Sequence, residues 1–418
     1  MKIELLAPPY SGHLHPVLGI ARALQERHAV TVLCTPGAQH AIRACGLRGE
    51  AVLSAEDEAS LWALANPPRP VRAHPLRLHA QVKQTLRLMA RLHATLAQRW
   101  AVQRPGLVIA DFTLPTAGLL AQRLGIRWWT SLPSPCVLET PDGPPPYVGG
   151  LFPSTGWMDA LQHAAARRLT RLFKRGVHAW HGAEMRALEL PAMYRADGSE
   201  AVYSPERILA LGIPELEFAQ QWPAALRFVG PMLCTPPSDL PEPPFVNGSR
   251  HLLVTAGTHL DWAKQGWIDA ATGLARRHPD WQVHVSQGRA GGAARAMGDA
   301  PHNLHVLAFV DYERFLARYD MVLHHGGAGV MYHALRAGVP ALVHPLDYDQ
   351  FDHAARLQSR GAGLWLRQLD DLPAAFDRAR ADHSLFTGLP ALRQAVHRHI
   401  DAQRLLDLIR HLEPTPSP

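Results

Sequence analysis

The sequence predicts two parallel-sheet α/β domains, each doubly wound and Rossmann-like, facing each other across a cleft. Three observations carry that reading. Strand-like apolar runs alternate with helical patterns from the first residues onward. A proline-dense stretch at 231–247 interrupts the alternation, and beyond it the alternation begins again. The 418 residues are also too many for one ordinary domain and comfortable for two, each with its own core.

Residues 3–7 form a short apolar run, 8–16 are rich in Pro and Gly, and 17–26 carry apolar residues at helical spacing. Residues 29–34 read as a second strand and 38–45 as a second helix. A later strand at 107–110 ends at Asp111 and leads into a helix at 117–124. Six prolines (Pro231, Pro236, Pro237, Pro241, Pro243 and Pro244) make 231–247 a semi-rigid linker, unable to form helix or central strand. Strands are then predicted at 252–255, 281–286, 304–309, 321–324 and 341–344, with a helix at 264–277. The expected division is 1–230 for an N-terminal domain, 231–247 for the linker and 248–395 for a C-terminal domain. Residues 396–418 are expected to form a helix packing back on the N-terminal domain, and a short tail. Open sheets of this kind bind ligands at the carboxyl ends of their strands.

The composition narrows the partners. The excess of six basic over acidic residues suits anionic small molecules or an anionic membrane surface. No dense basic run is interleaved with aromatics, so nucleic acid is not an expected partner. The N-terminus runs into Pro8-Pro9 and is not read as a signal peptide, and no apolar run approaches the roughly 20 residues of a membrane span. Cys34, Cys45, Cys136 and Cys234 lack CxxC spacing, which suggests neither a disulfide framework nor a zinc site and fits a reducing cytoplasm.

The sharpest local signal is Leu323-His324-His325-Gly326-Gly327-Ala328-Gly329-Val330, which opens a helix running to about Ala337. A glycine-rich turn between strand and helix lets backbone N–H groups approach a phosphate, whose charge the helix dipole favours. The pattern is neither GxGxxG nor a Walker loop, so dinucleotide and P-loop chemistry are disfavoured. Some twenty residues on, Pro345-Leu346-Asp347-Tyr348-Asp349-Gln350 follows a strand. An acid and an amide at a strand end can bind vicinal sugar hydroxyls. Asp347-Tyr348-Asp349 is formally a metal-binding D-x-D, but a metal on the diphosphate would leave the glycine-rich loop unexplained.

His325-Gly326-Gly327-Ala328-Gly329, then Gly338-Val339-Pro340, then Asp349-Gln350, resembles the donor motif of the family 1 (UDP-glycosyltransferase-like) enzymes, which have the GT-B fold. Thr255-Ala256-Gly257-Thr258 resembles the first strand and loop of their donor domain, and Phe228-Val229-Gly230-Pro231 their lead into the linker. The resemblance implies that His325 contacts a pyrophosphate and that Thr258, with the amides of Gly326, Gly327, Ala328 and Gly329, completes its cradle. It implies that Asp349 and Gln350 hold the sugar, and that Phe309 and Val310 lie against the base. Val330 stands where a hydroxyl commonly faces the phosphate, and His333 where plant-type members carry a ribose-binding Glu, so UDP and TDP both remain open.

Transfer to a hydroxyl needs a base of pKa near 7, and His is the natural choice. Gly12-His13-Leu14-His15-Pro16 places two histidines in the expected first loop. The family's Gly-His-x-x-Pro loop matches Gly12-His13-x-x-Pro16, which makes His13 the implied base and Asp111, before Phe112, its implied partner. The implied reaction is a metal-independent, inverting transfer of a hexose from a UDP- or TDP-sugar to a small hydrophobic natural product or lipid. A nucleotide-sugar-binding homologue without activity and a GT-B-fold epimerase are the alternatives. His15, Trp129, Tyr147 and Phe152 are candidate acceptor contacts, because aromatics in a loop-rich stretch can wall an apolar pocket. Arg167, Arg168, Arg171, Lys174 and Arg175 beside Leu169, Leu172 and Phe173 suggest a basic amphipathic helix able to rest on a membrane.

Overall fold

The computed structural model describes residues 1–68, 75–237, 239–289 and 300–410, and they build two separate sheets. The first contains β1 (Lys2–Leu6), β2 (Ala29–Cys34), β3 (Gly49–Ala51), β4 (Leu107–Asp111), β5 (Arg127–Leu132), β6 (Ile208–Ala210) and β7 (Leu226–Phe228), in the order β3-β2-β1-β4-β5-β6-β7. The second contains β8 (Arg250–Thr255), β9 (Trp281–Ser286), β10 (Leu304–Leu307), β11 (Met321–His324), β12 (Ala341–Val343) and β13 (Gly363–Trp365), in the order β10-β9-β8-β11-β12-β13. Their pairings are parallel throughout. Parallel strands need crossovers, and crossover helices cover both faces, so the strands read as apolar runs rather than alternating patterns. β4, Leu-Val-Ile-Ala-Asp, is buried at every position.

Predicted strand ends fall within a residue or two of the observed ones. The helices differ more. The first begins at Ser11 rather than near residue 17, so His13 and His15 lie in its opening turns and not in a loop. Pro16 sits inside that helix. It removes one hydrogen bond, to the Gly12 carbonyl, and Gly12 has open space around it. The helix Trp157–Trp180 contains the run at 167–175 read as an amphipathic helix and extends into the stretch read as loop-rich. A 28-residue helix, Pro75–Val102, has no counterpart in the prediction. It is fastened to the sheet by polar contacts that periodicity does not register. Glu4, buried in β1, accepts from Arg99 Nη2 at 2.8 Å and from Trp100 Nε1 at 2.7 Å.

Trp128 and Trp129 are neighbours in β5 and therefore point to opposite faces. Trp128 packs with Val108 and Leu120, and Trp129 with Ile3, Leu5 and Ile109. The helix Gln403–Arg410 adds Leu405 and Ile409 to the N-terminal core, while Ile213 and Leu216 join the C-terminal one. Next to them, Glu217 pairs with Arg356 at 2.7 Å, both side chains almost wholly buried. Losing either partner would strand a buried charge, a cost of about 3–5 kcal/mol.

Two buried histidines give the fold a pH dependence. Burial pushes His284 and His324 down to about 3. Above about pH 6.5 both are neutral whether folded or not. Below it the unfolded chain takes up protons that the folded one refuses, so each should cost about 1 kcal/mol of stability per pH unit. The urea midpoint should therefore fall between pH 7 and pH 5, and a midpoint that held or rose would contradict this account.

Candidate active site between the domains

Both sheets reverse direction beside their first strand. In the N-terminal sheet β1 pairs with β4, Leu6 opposite Ala110, so the residues that follow the two strands converge. Asp111 ends β4 and is fully buried. Its Oδ1 accepts from Thr113 N at 3.0 Å and from Thr113 Oγ1 at 2.6 Å. His13 Nδ1 lies 3.1 Å from each oxygen of the same carboxylate. Burial alone would lower the His13 pKa, but the charge and hydrogen bond of Asp111, helped by the charge of Asp349, raise it above the ordinary histidine value. An imidazole whose Nδ1 faces a carboxylate leaves Nε2 for the cavity.

In the C-terminal sheet β8 pairs with β11, Thr255 opposite His324. The turn after β11 is held from both sides. The Gly326 N–H donates to His324 Nδ1 at 3.0 Å, and the Gly326 carbonyl meets His353 Nδ1 at 2.7 Å. With φ at +90° and a Cβ position only 2.9 Å from the Gln350 carbonyl oxygen, this residue must be glycine. The expected part for Gly326 in the phosphate cradle is thereby corrected: its N–H is already engaged by His324. The groups left open are those of Ala328, Gly329 and Val330, in the first turn of the helix Ala328–Ala337, where N–H groups have no intrahelical partner. The His325 ring is gripped between two glycines. A Cβ on Gly257 would come within 2.5 Å of its Cε1, and one on Gly327 within 2.5 Å of its Nε2. Burial lowers the His325 pKa to about 4, so at neutral pH it offers a hydrogen bond and no charge.

One cavity of about 460 Å³ joins the two sides. It is lined by His13, His15, Thr258, Phe309, His325 and Tyr147, together with Gly327, Ala328, Gly329, Val330, Asp349 and Gln350. Asp111 stands behind His13 rather than at the wall. Asp349 precedes the helix Gln350–Ser359 without capping it through its side chain. Gln350 Oε1 already accepts from Leu346 N at 2.9 Å and Asp347 N at 3.1 Å, which leaves only its amide N–H groups for a ligand. Thr258 Oγ1 lies 3.1 Å from His259 Nδ1.

Besides Gly326, three expected contacts are not at this cavity. Val310 is buried in the C-terminal core. Trp129 is core too, because β5 is covered on both faces. Phe152 packs on the C-terminal cluster beside Trp365, ring centroids 6.1 Å apart. The walls instead include residues that the sequence reading missed. Leu61, Leu64, Leu88 and Met89 come from helices far from any strand end, and their spacing signals only a helix. Tyr10 and His259 meet edge to face at 4.9 Å and tie the two domains together across the cleft, a contact with no signature in sequence. His15 and His333 also line the cavity, and burial lowers their pKa values to about 4 and about 3.

Two parallel sheets of seven and six strands with flanking helices match the architecture of solved GT-B glycosyltransferases. Comparison with known proteins agrees. Residues 289–405 match the family described as "Erythromycin biosynthesis protein CIII-like, C-terminal domain". The chain is 24% identical over 385 residues to the 4'-demethylrebeccamycin synthase of Lentzea aerocolonigenes, covering 88% of each. It is 25% identical over 386 residues to the zeaxanthin glucosyltransferase of Pseudescherichia vulneris, covering 86% of this chain and 84% of that one. The solved glycosyltransferase of kitacinnamycin superposes with a TM-score of 0.74 at 23% identity, over 99% of this chain and 100% of that one. The glycosyltransferase VinC, solved in complex with dTDP, gives 0.67 at 20% identity over 99% of both. The chain has the GT-B fold of these solved glycosyltransferases and is similar over most of its length to named bacterial glycosyltransferases.

The glycine grip on His325 is testable. Gly327 has an ordinary backbone conformation, with φ at −63°, so alanine there disturbs only the ring contact. Gly327→Ala should keep the circular dichroism spectrum and weaken nucleoside diphosphate binding at least about tenfold by calorimetry, in the range of overpacking costs. Unchanged affinity would show that His325 does not depend on this slot.

Proposed function

We propose that the enzyme moves a hexose from a TDP- or UDP-sugar to a hydroxyl of a small hydrophobic acceptor, inverting the anomeric carbon, with His13 as general base and no metal. One observation carries the reading: His13, held by buried Asp111, opens onto the same cavity as the N-terminus of the helix Ala328–Ala337. His13 Nε2 takes the acceptor's hydroxyl proton as its oxygen attacks C1. The bond from C1 to the diphosphate breaks on the opposite side, and its electron pair leaves with the nucleoside diphosphate. That charge falls on His325 and on the amides of Ala328, Gly329 and Val330, a helix N-terminus taking the place of a cation. Thr258 adds a hydroxyl beside the phosphates, Asp349 and the Gln350 amide bind the sugar hydroxyls, and Phe309 lies against the base. Asp111 orients the ring and stabilises the imidazolium.

The apolar lining from Leu61, Leu64, Leu88 and Met89 supports a hydrophobic acceptor, with Tyr147 and His15 nearer the reacting end. The name of one relative points the same way, since that enzyme glucosylates zeaxanthin. VinC with bound dTDP supports a thymidine donor. Mass spectrometry of the enzyme with UDP- and TDP-sugars and mixed hydrophobic alcohols and phenols, in excess chelator, should reveal a glycoside. Loss of all transfer on chelation would remove the metal-free mechanism.

His13→Ala should lower kcat by about 100- to 10,000-fold and leave nucleoside diphosphate affinity intact. Because Asp111 raises the His13 pKa, transfer in the wild type should climb with pH through a value above the usual 6.5. Asp111→Asn should move that limb to lower pH while reducing kcat. Unchanged turnover in His13→Ala, or a limb that stays in place in Asp111→Asn, would sink the assignment.

A further inference from the structure

The helix Trp157–Trp180 is mounted inside out. In a water-exposed helix the apolar stripe normally faces the protein. Here the inward face is the charged one. Arg171 Nε reaches Glu139 at 2.8 Å, and Lys174 Nζ reaches both Glu139 and Glu200 at 2.6 Å. Arg167 donates to the Gly143 carbonyl at 2.7 Å, and the His178 ring meets the Leu190 carbonyl at 3.0 Å. Half-buried and satisfied, these groups fix the helix in one rotation.

That rotation sends the apolar stripe outward. Met158, Leu161, Ala165, Leu169, Leu172 and Phe173 recur at three- and four-residue spacing and all are exposed, Leu169 and Leu172 at 68% each. Trp157 and Trp180 bound the stripe at 77% and 78% exposure. A continuous apolar surface of this length is not a normal feature of a solvated face. The exposed positions of the helix include Arg168 and Arg175, and its one carboxylate, Asp159 in the first turn, accepts from the Thr155 N–H and hydroxyl. Among the described residues, no helix is long and apolar enough to cross a membrane.

We propose that this face lies in the surface of an anionic lipid bilayer, its leucines and tryptophans seated at the headgroup boundary and its two arginines on lipid phosphates. Tryptophan suits such a boundary because its ring is apolar and its N–H is polar. The charge pattern favours lipid over a second copy of the chain: two copies meeting through this face would bring arginines toward arginines, with Asp159 engaged by Thr155, whereas an anionic surface complements them. The placement also has a consequence for access. Arg167 holds Gly143, and the same segment continues to Tyr147, which lines the cavity. A bilayer beneath the helix therefore lies next to the segment that forms one wall of the site, within reach of an acceptor dissolved in lipid.

The proposal is independent of the donor and base assignments, because its test reads binding and not turnover. The full chain should float with vesicles of phosphatidylglycerol and phosphatidylcholine in equal parts at low salt, and only weakly with phosphatidylcholine alone. Leu169→Glu with Leu172→Glu, both at exposed positions, should leave nucleoside diphosphate binding unchanged and reduce flotation at least about tenfold. Failure of the wild type to float, or flotation unaffected by the double substitution, would overturn the proposal. So would sedimentation showing a dimer that the double variant dissolves, since the face would then be a contact between copies.

Discussion

Each sheet places its first strand between its second and its fourth, and that single topological constraint creates the site. At such a point two neighbouring strands send their following segments to opposite faces, leaving a crevice at their carboxyl ends. The N-terminal crevice receives His13 from one side and Asp111 from the other. The C-terminal crevice receives the Gly257 loop and the His325 turn. Because the crevices face each other, His13 and the N-terminus of the helix Ala328–Ala337 line one cavity to which both domains contribute.

Within this frame the histidines divide by what their surroundings do to charge. His13 alone among those lining the cavity has a buried carboxylate against it, and it alone has its pKa raised. His15, His325 and His333 are desolvated without such a partner and stay neutral. One residue type thus has its pKa raised at one place and stays uncharged at others. His324 and His353 show a third use, fixing a glycine turn through its backbone. Acid would protonate the His324 nitrogen that accepts from Gly326, so loss of fold and loss of the donor loop are coupled.

The strands were legible because parallel sheets buried on both faces require apolar runs, and the runs at 29–34, 281–286 and 321–324 coincide with β2, β9 and β11. The glycine loop and Asp349 were legible because they follow strands directly. What escaped depends on three-dimensional neighbours. The engaged N–H of Gly326 could not be read from a motif, since His324 competes for it only in the folded turn. Trp129 looked available because its stretch read as loop-rich, yet it lies in β5, both faces of which are covered. Leu61 and Met89 line the cavity from helices that also pack on the protein core, Met89 in one cluster with Leu92 and Leu96, so their spacing resembles that of any core-facing helix. The inverted mounting of Trp157–Trp180 was hidden for a related reason: periodicity shows that a helix has two faces and not which one turns inward.

The central claim is that one base and one helix end act on opposite sides of a single anomeric carbon. The configuration of the product tests it most directly. Proton NMR of the glycoside formed from an α-linked nucleotide sugar should show a β linkage, since attack and departure are in line and occur once. An α-linked product would mean a second displacement or a front-side path, and the arrangement of His13 against the His325 turn would then need another explanation.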